Sequence, residues 1–120
     1  MNKPLVGRRI LVVEDEMLVF LMTEGMLADL GCETIFSAAT VETALALIER
    51  QTLDAALLDM NLNGNKTHQV SEALAGRGVP FAFVTGYTRE DRNVVDRDRP
   101  LLKKPFQFEQ LAEIMTGLLG

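Results

Sequence analysis

Ile10-Leu11-Val12-Val13-Glu14-Asp15 is an unbroken apolar run, largely β-branched, that ends abruptly in two acids. A run of this kind reads as a strand covered on both faces, because neither side of its pleat can meet water. Three further stretches repeat the pattern: 34–38, 55–58 ending in Asp59, and 81–84 ending in Thr85-Gly86. A fifth, Pro100-Leu101-Leu102, opens on a proline with no amide to give to a ladder, which places it at a sheet edge or delays its start. Stretches of helical period separate these runs. The first covers about 16–30 and stops at Gly31, where a left-handed C-terminal cap is cheapest for glycine. The second opens on Thr40, whose hydroxyl can cap free amides, with Glu42 at the positive end of the helix dipole and Ala44, Leu45, Leu47 and Ile48 as its buried stripe. The third spans about 66–75, and the last carries Phe108, Leu111, Met115 and Leu118. Strand and helix in alternation spell βα units around a parallel sheet. One stretch breaks the rhythm: from 88 to 99, 8 of 12 residues are charged, so a short or frayed helix with mobile ends is expected there, either a solvated loop or a segment that orders when a ligand or partner arrives.

The bulk numbers fit one globular domain. With 120 residues, 48% apolar and 24% charged, the chain can bury a core without disulfides or a structural metal. Its 12 basic and 17 acidic side chains leave a formal charge of −5, the wrong sign for a nucleic-acid surface. The single cysteine, Cys32, reads as core and points to a reducing compartment. Residues 1–7 lack a signal-peptide core, and no stretch approaches roughly 18 uninterrupted apolar residues, so a cytoplasmic protein without membrane contact is expected.

In an open parallel sheet, ligands bind beyond the carboxyl ends of the strands, where the winding direction reverses. Glu14, Asp15 and Asp59 all stand at such ends. Each alone reads equally well as a helix-capping acid; together, anions at close range hold protons or recruit a cation, for which a hard, oxygen-preferring ion such as Mg²⁺ is the natural choice. Thr85 ends the fourth run with a hydroxyl, and Lys103-Lys104-Pro105 follows the fifth with an ammonium. Carboxylates, a hydroxyl and a lysine charge together suit a phosphoryl group.

These residues, in this order on these elements, resemble the receiver domains of two-component response regulators, over about residues 8–119 of a single domain spanning 1–120. The resemblance implies an α/β, flavodoxin-like doubly wound fold: a five-stranded parallel sheet of order 2-1-3-4-5 flanked by about five helices, the fourth of them weak or mobile. It implies Asp59 as phosphoacceptor, Asp15 as direct metal ligand with Glu14 acting through water, and the backbone carbonyl of Asn61 on Mg²⁺. Thr85 and Lys104 match the groups that contact phosphoryl oxygens, Lys104 being chosen over Lys103 because it directly precedes Pro105, a proline often cis in the family. Ionised Asp59 would take a phosphoryl group from a sensor histidine kinase or phosphotransfer protein, and the only reactions the chain would catalyse are its own phosphorylation and dephosphorylation. With nothing read after residue 119 as an output domain, the expectation is a stand-alone, monomeric module that controls a downstream protein, relays phosphate, or drains it as a sink.

Phe83-Val84-Thr85-Gly86-Tyr87-Thr88 is similar to the signature of the FATGUY group of alphaproteobacterial single-domain regulators tied to general stress signalling, with Val84 and Thr88 as departures. Asn63 stands where the family usually has proline, and Leu101 where it usually has a switching aromatic. The loop after Thr85, freed by Gly86, is therefore expected to be the moving part. Tyr87 and Asn61 flank the family's path for attacking water, although Tyr87 reads equally as a surface ring. Asp54 falls at the far end of its strand, and His68 reads as an ordinary exposed histidine. The first helix is apolar nearly all round; by analogy Val19, Met22, Met26 and Leu30 face the sheet, leaving Leu18, Phe20 and Leu21 for a kinase, unless they are more deeply buried. Two rivals are a haloacid-dehalogenase-like phosphohydrolase, disfavoured because the acidic pair precedes Asp59, and a degenerate receiver that only binds partners.

Overall fold

The computed structural model describes residues 3–62, 65–86 and 99–120. The main sheet is built from β1 (Arg9–Val13), β2 (Thr34–Ala38), β3 (Ala55–Asp59), β6 (Phe81–Thr85) and β7 (Leu101–Lys103). All neighbours pair parallel, in the order β2-β1-β3-β6-β7, the 2-1-3-4-5 order when these five strands are counted along the chain. Two-residue strands β4 (Asn61–Leu62) and β5 (Asn65–Lys66) form a separate antiparallel ladder, and four helices are described: α1 (Met17–Asp29), α2 (Val41–Arg50), α3 (His68–Gly76) and α4 (Phe108–Leu119). The charged stretch 88–99, expected as a weak helix, lies outside the described residues except for Arg99, whose guanidinium sits 4.4 Å from the ring centroid of Phe81 as the chain enters β7.

Alternation along the strands divides the core in two. Ile10, Val12, Leu57, Ala82 and Val84 pack with Leu27 of α1 and with Leu111 and Met115 of α4. Leu11, Val13, Ala56, Leu58, Phe81 and Phe83 pack on the other face with Ala44 and Ile48 of α2 and with Val70 and Leu74 of α3. Both faces are covered, which is why β1, β3 and β6 tolerate runs with no polar residue. Each fully buried Leu or Phe contributes roughly 1.5–3 kcal/mol by leaving water.

The local signals act as expected at several ends. The Thr40 hydroxyl accepts from the Thr43 amide at 3.1 Å. Gly31, just past α1, has φ +98°, and a Cβ there would meet Lys3 Cβ at 2.7 Å and Val6 Cγ2 at 2.9 Å, so backbone shape and space both require glycine. Cys32 is buried and donates towards the carbonyls of Arg8 and Thr34.

Helix α1 corrects the sequence reading. Its inward stripe is Phe20, Thr23, Leu27 and Leu30, while Met22, expected to face the sheet, is 52% exposed, and Phe20, expected towards solvent, is half-buried against the core. A helix that is apolar all round offers no polar side from which to orient it, and the inward threonine hid the stripe. Thr23 is tolerated there because its hydroxyl donates to the Val19 carbonyl at 2.8 Å. Leu18 and Leu21 are exposed, as expected. The third helix begins at His68 instead of about residue 66, because residues 65–66 are taken up in the small ladder.

Candidate functional site

The ends of β1 and β3 lie side by side where the winding reverses, with Val13 paired to Leu58. Glu14 and Asp15 therefore emerge beside Asp59. A bond from the Glu14 amide to the Ala38 carbonyl (2.9 Å) continues the ladder to β2 and fixes the first exit, and one from the Met60 amide to the Val84 carbonyl (3.0 Å) fixes the second. Asp59 pairs with Val84 across the β3–β6 ladder, so Thr85, 1% exposed, comes next at the same end of the sheet. The Lys104 amide donates to the Thr85 carbonyl at 2.7 Å, drawing the end of β7 to the same place, and the Lys104–Pro105 bond is cis. Asn61, two residues past Asp59, opens β4 opposite Lys66.

Lysine 104 is the hub of this cluster. Its Nζ lies 3.0 Å from Glu14 Oε1, 3.0 Å from Asp59 Oδ2 and 3.1 Å from Glu16 Oε1. Lys103 is exposed. One oxygen from each of Glu14, Asp15, Glu16 and Asp59 lies within 4.8 Å of the others. Hard carboxylate oxygens gathered this closely are a donor set that fits Mg²⁺.

Burial has titration consequences. Desolvation pushes the Glu14 carboxyl up to about 7, helped by the negative charge of Asp59 and opposed by hydrogen bonds from the Glu16 amide and from Lys104. Burial alone would lower Lys104, but its bonds to Glu14 and Asp59 outweigh that and hold it above the ordinary lysine value. An acid whose folded pKa is raised stabilises the fold most below its unfolded value, and the contribution disappears as pH rises through the folded one. In protein freed of divalent cations, stability relative to Glu14→Gln is therefore expected to fall between about pH 5 and pH 8. Urea unfolding midpoints of both proteins across that range provide the check.

Two residues at this site were not singled out in the sequence. Glu16 read only as the start of a helix, yet it joins the Lys104 cluster. Thr67 precedes α3 and has the look of a cap, but its hydroxyl, buried, donates to the Asp59 carbonyl at 2.8 Å and pins the backbone of that residue. Asp54 stands at the opposite end of β3, accepting from the Arg9 amide at 2.7 Å, and His68 is exposed. Residues 87–98, Tyr87 among them, lie outside the described residues, as does Asn63.

The family model of the response regulator receiver domain matches residues 10–116. The chain belongs to that family. Among solved structures, this receiver domain is similar to SdrG from Sphingomonas melonis Fr1, with 42% identity, 98% of each chain covered and a TM-score of 0.84. The BeF3-activated conformation of SdrG, from Pseudomonas melonis Fr1, matches at 39% identity and a TM-score of 0.80, with 99% of this chain and 98% of that one covered. The receiver domain of sensor histidine kinase PA1611 from Pseudomonas aeruginosa PAO1, which holds magnesium in its active-site cleft, matches at 30% identity and a TM-score of 0.84, covering 96% of this chain and 99% of that one. No curated protein matches the chain. Among the described residues, no helix of the receiver domain is long and apolar enough to cross a membrane.

Proposed function

We propose that residues 1–120 act as a phosphoacceptor signalling module that receives a phosphoryl group on Asp59 from the phosphohistidine of a sensor kinase or phosphotransfer protein. The observation that carries this reading is the Lys104 ammonium, 3.0 Å from Asp59 Oδ2 at the end of β3 and 3.0 Å from Glu14 Oε1. An Asp59 carboxylate oxygen attacks phosphorus, the phosphorus–nitrogen bond breaks, and the imidazole leaves as the pair of electrons returns to nitrogen. Lys104 and the Thr85 hydroxyl donate to the phosphoryl oxygens, and Thr67 holds the Asp59 backbone in place. Asp15, Glu14, Asp59 and the Asn61 carbonyl are the groups that would hold Mg²⁺, which supplies charge neutralisation for the phosphoryl oxygens when bound. Water later hydrolyses the acyl phosphate, returning Asp59.

The module then switches conformation to control a downstream protein. The resemblance of residues 83–88 to the FATGUY signature supports a place in general stress signalling. The test is stoichiometry. With a phosphohistidine donor and Mg²⁺ the chain is expected to take up one equivalent of phosphate, labile to alkali as an acyl phosphate is, and to leave p-nitrophenyl phosphate unhydrolysed. Sustained turnover of that ester would move the protein to the phosphohydrolases.

For the donor, the surface favoured is the open side of α1, where Leu18 and Leu21 are 77% and 49% exposed. Leu21→Glu is expected to slow transfer from a phosphohistidine protein about tenfold, the effect of losing roughly 1.4 kcal/mol at an interface. Uptake from acetyl phosphate should be unchanged, since that donor touches no helix.

A further inference from the structure

We propose that Glu16 is a positioning residue that restrains Lys104 and so limits how readily the site accepts a phosphoryl group. The inference rests on the phosphoacceptor reading above. An ammonium has three N–H donors, and here Glu14, Glu16 and Asp59 each stand 3.0 to 3.1 Å from Nζ, enough to occupy all three. A phosphoryl group on Asp59 needs at least one of them. Glu14 and Asp59 are buried, with side chains 4% and 7% exposed, so neither has room to withdraw. The Glu16 side chain is 62% exposed and stands at the rim, so it is the partner that gives way.

The local structure leaves Glu16 free for this task. It occupies the N-cap position of α1, with φ −87° and ψ 112°, yet its side chain makes no capping hydrogen bond. Its backbone amide is already engaged, donating to Glu14 Oε2 at 3.1 Å. The carboxylate thus serves Lys104 and not the helix end. It also adds a negative charge at the exposed edge of the cluster, so competition for Lys104 and repulsion of an anionic donor act in the same direction.

Beryllofluoride binding in saturating Mg²⁺, followed by amide NMR, tests this on the wild type, Glu16→Gln and Glu16→Ala. Both variants are expected to fold normally and to bind beryllofluoride about two- to fivefold more tightly, the size of a partly exposed ion pair. A merely structural role would not move the second readout: in Mg²⁺-free protein the Lys104 Hζ protons should exchange with water several-fold faster in both variants. Variants that bind beryllofluoride equally or more weakly, or that leave Hζ exchange unchanged, overturn the inference while the wild-type response keeps the phosphoacceptor reading intact. A wild type that binds no beryllofluoride overturns that reading itself.

Discussion

Asp59→Asn is expected to take up no phosphoryl group from any donor, a loss of activity limited only by the detection floor. The amide nitrogen and oxygen that replace the carboxylate lack a charged nucleophile, and no displacement at phosphorus begins without one. The fold should survive, and stability in cation-free buffer should not fall. The substitution keeps an oxygen that can accept from Lys104 while removing one of four carboxylates whose oxygens gather within 4.8 Å. Radiolabel incorporation alongside a urea melt separates the two effects. Stoichiometric labelling of Asp59→Asn would transfer the acceptor role to another side chain.

Lys104→Met is expected to be the most destabilising change at the site. Its ammonium lies within 3.1 Å of Glu14, Glu16 and Asp59, and the methionine fills similar volume without charge. Removing one partner of a buried ion pair leaves the others desolvated and mutually repelling, so in cation-free buffer at neutral pH the loss should be about 3 kcal/mol. Acidification should shrink it, because protonated carboxyls no longer repel, and millimolar Mg²⁺ should restore part of it by binding the folded state alone. Phosphoryl uptake should be strongly reduced even where Mg²⁺ restores stability, since the metal does not replace the lysine donor. A variant as stable as the wild type in EDTA would mean that the cluster is hydrated more fully than its burial indicates.

The parts of the fold that were legible in the sequence are those where one physical signal acts alone. Uninterrupted runs such as Ile10-Leu11-Val12-Val13 and Phe81-Ala82-Phe83-Val84 have no reason to exist outside a doubly covered sheet, and they became β1 and β6 within a residue of the expected ends. Thr40 and Gly31 were legible because capping and a positive φ are local demands. Helix α1 was not, because Met17, Leu18, Leu21 and Met22 on its open side are as apolar as Phe20 and Leu27 on its buried side. Orientation there comes from tertiary packing, on which a one-sided pattern count is silent. The β4–β5 ladder was missed for the opposite reason: two pairs, Asn61 with Lys66 and Leu62 with Asn65, are too short to show any period.

The candidate site divides in the same way. Glu14, Asp15, Asp59, Thr85 and Lys104 sit at strand ends, and once the strands are in parallel order the ends must meet. Glu16 and Thr67 lie one step off those ends, each at the start of a helix, where acid and hydroxyl residues are common for capping alone. It is the tertiary fold that turns the Glu16 carboxylate to Lys104 and the Thr67 hydroxyl to the Asp59 carbonyl.

The central claim is that Asp59, Thr85 and Lys104 form one phosphoryl site. The most direct measurement is a two-dimensional amide NMR titration of the wild-type chain with Mg²⁺ and then with beryllofluoride, which imitates a phosphoryl group on aspartate. Mg²⁺ is expected to shift Glu14, Asp15 and Asn61, and beryllofluoride to shift Asp59, Thr85 and Lys104 in slow exchange and to spread into residues 86–98, with no beryllofluoride response in Asp59→Asn. A wild-type spectrum unchanged by beryllofluoride in saturating Mg²⁺ would contradict the account and leave a receiver fold that binds partners without phosphate.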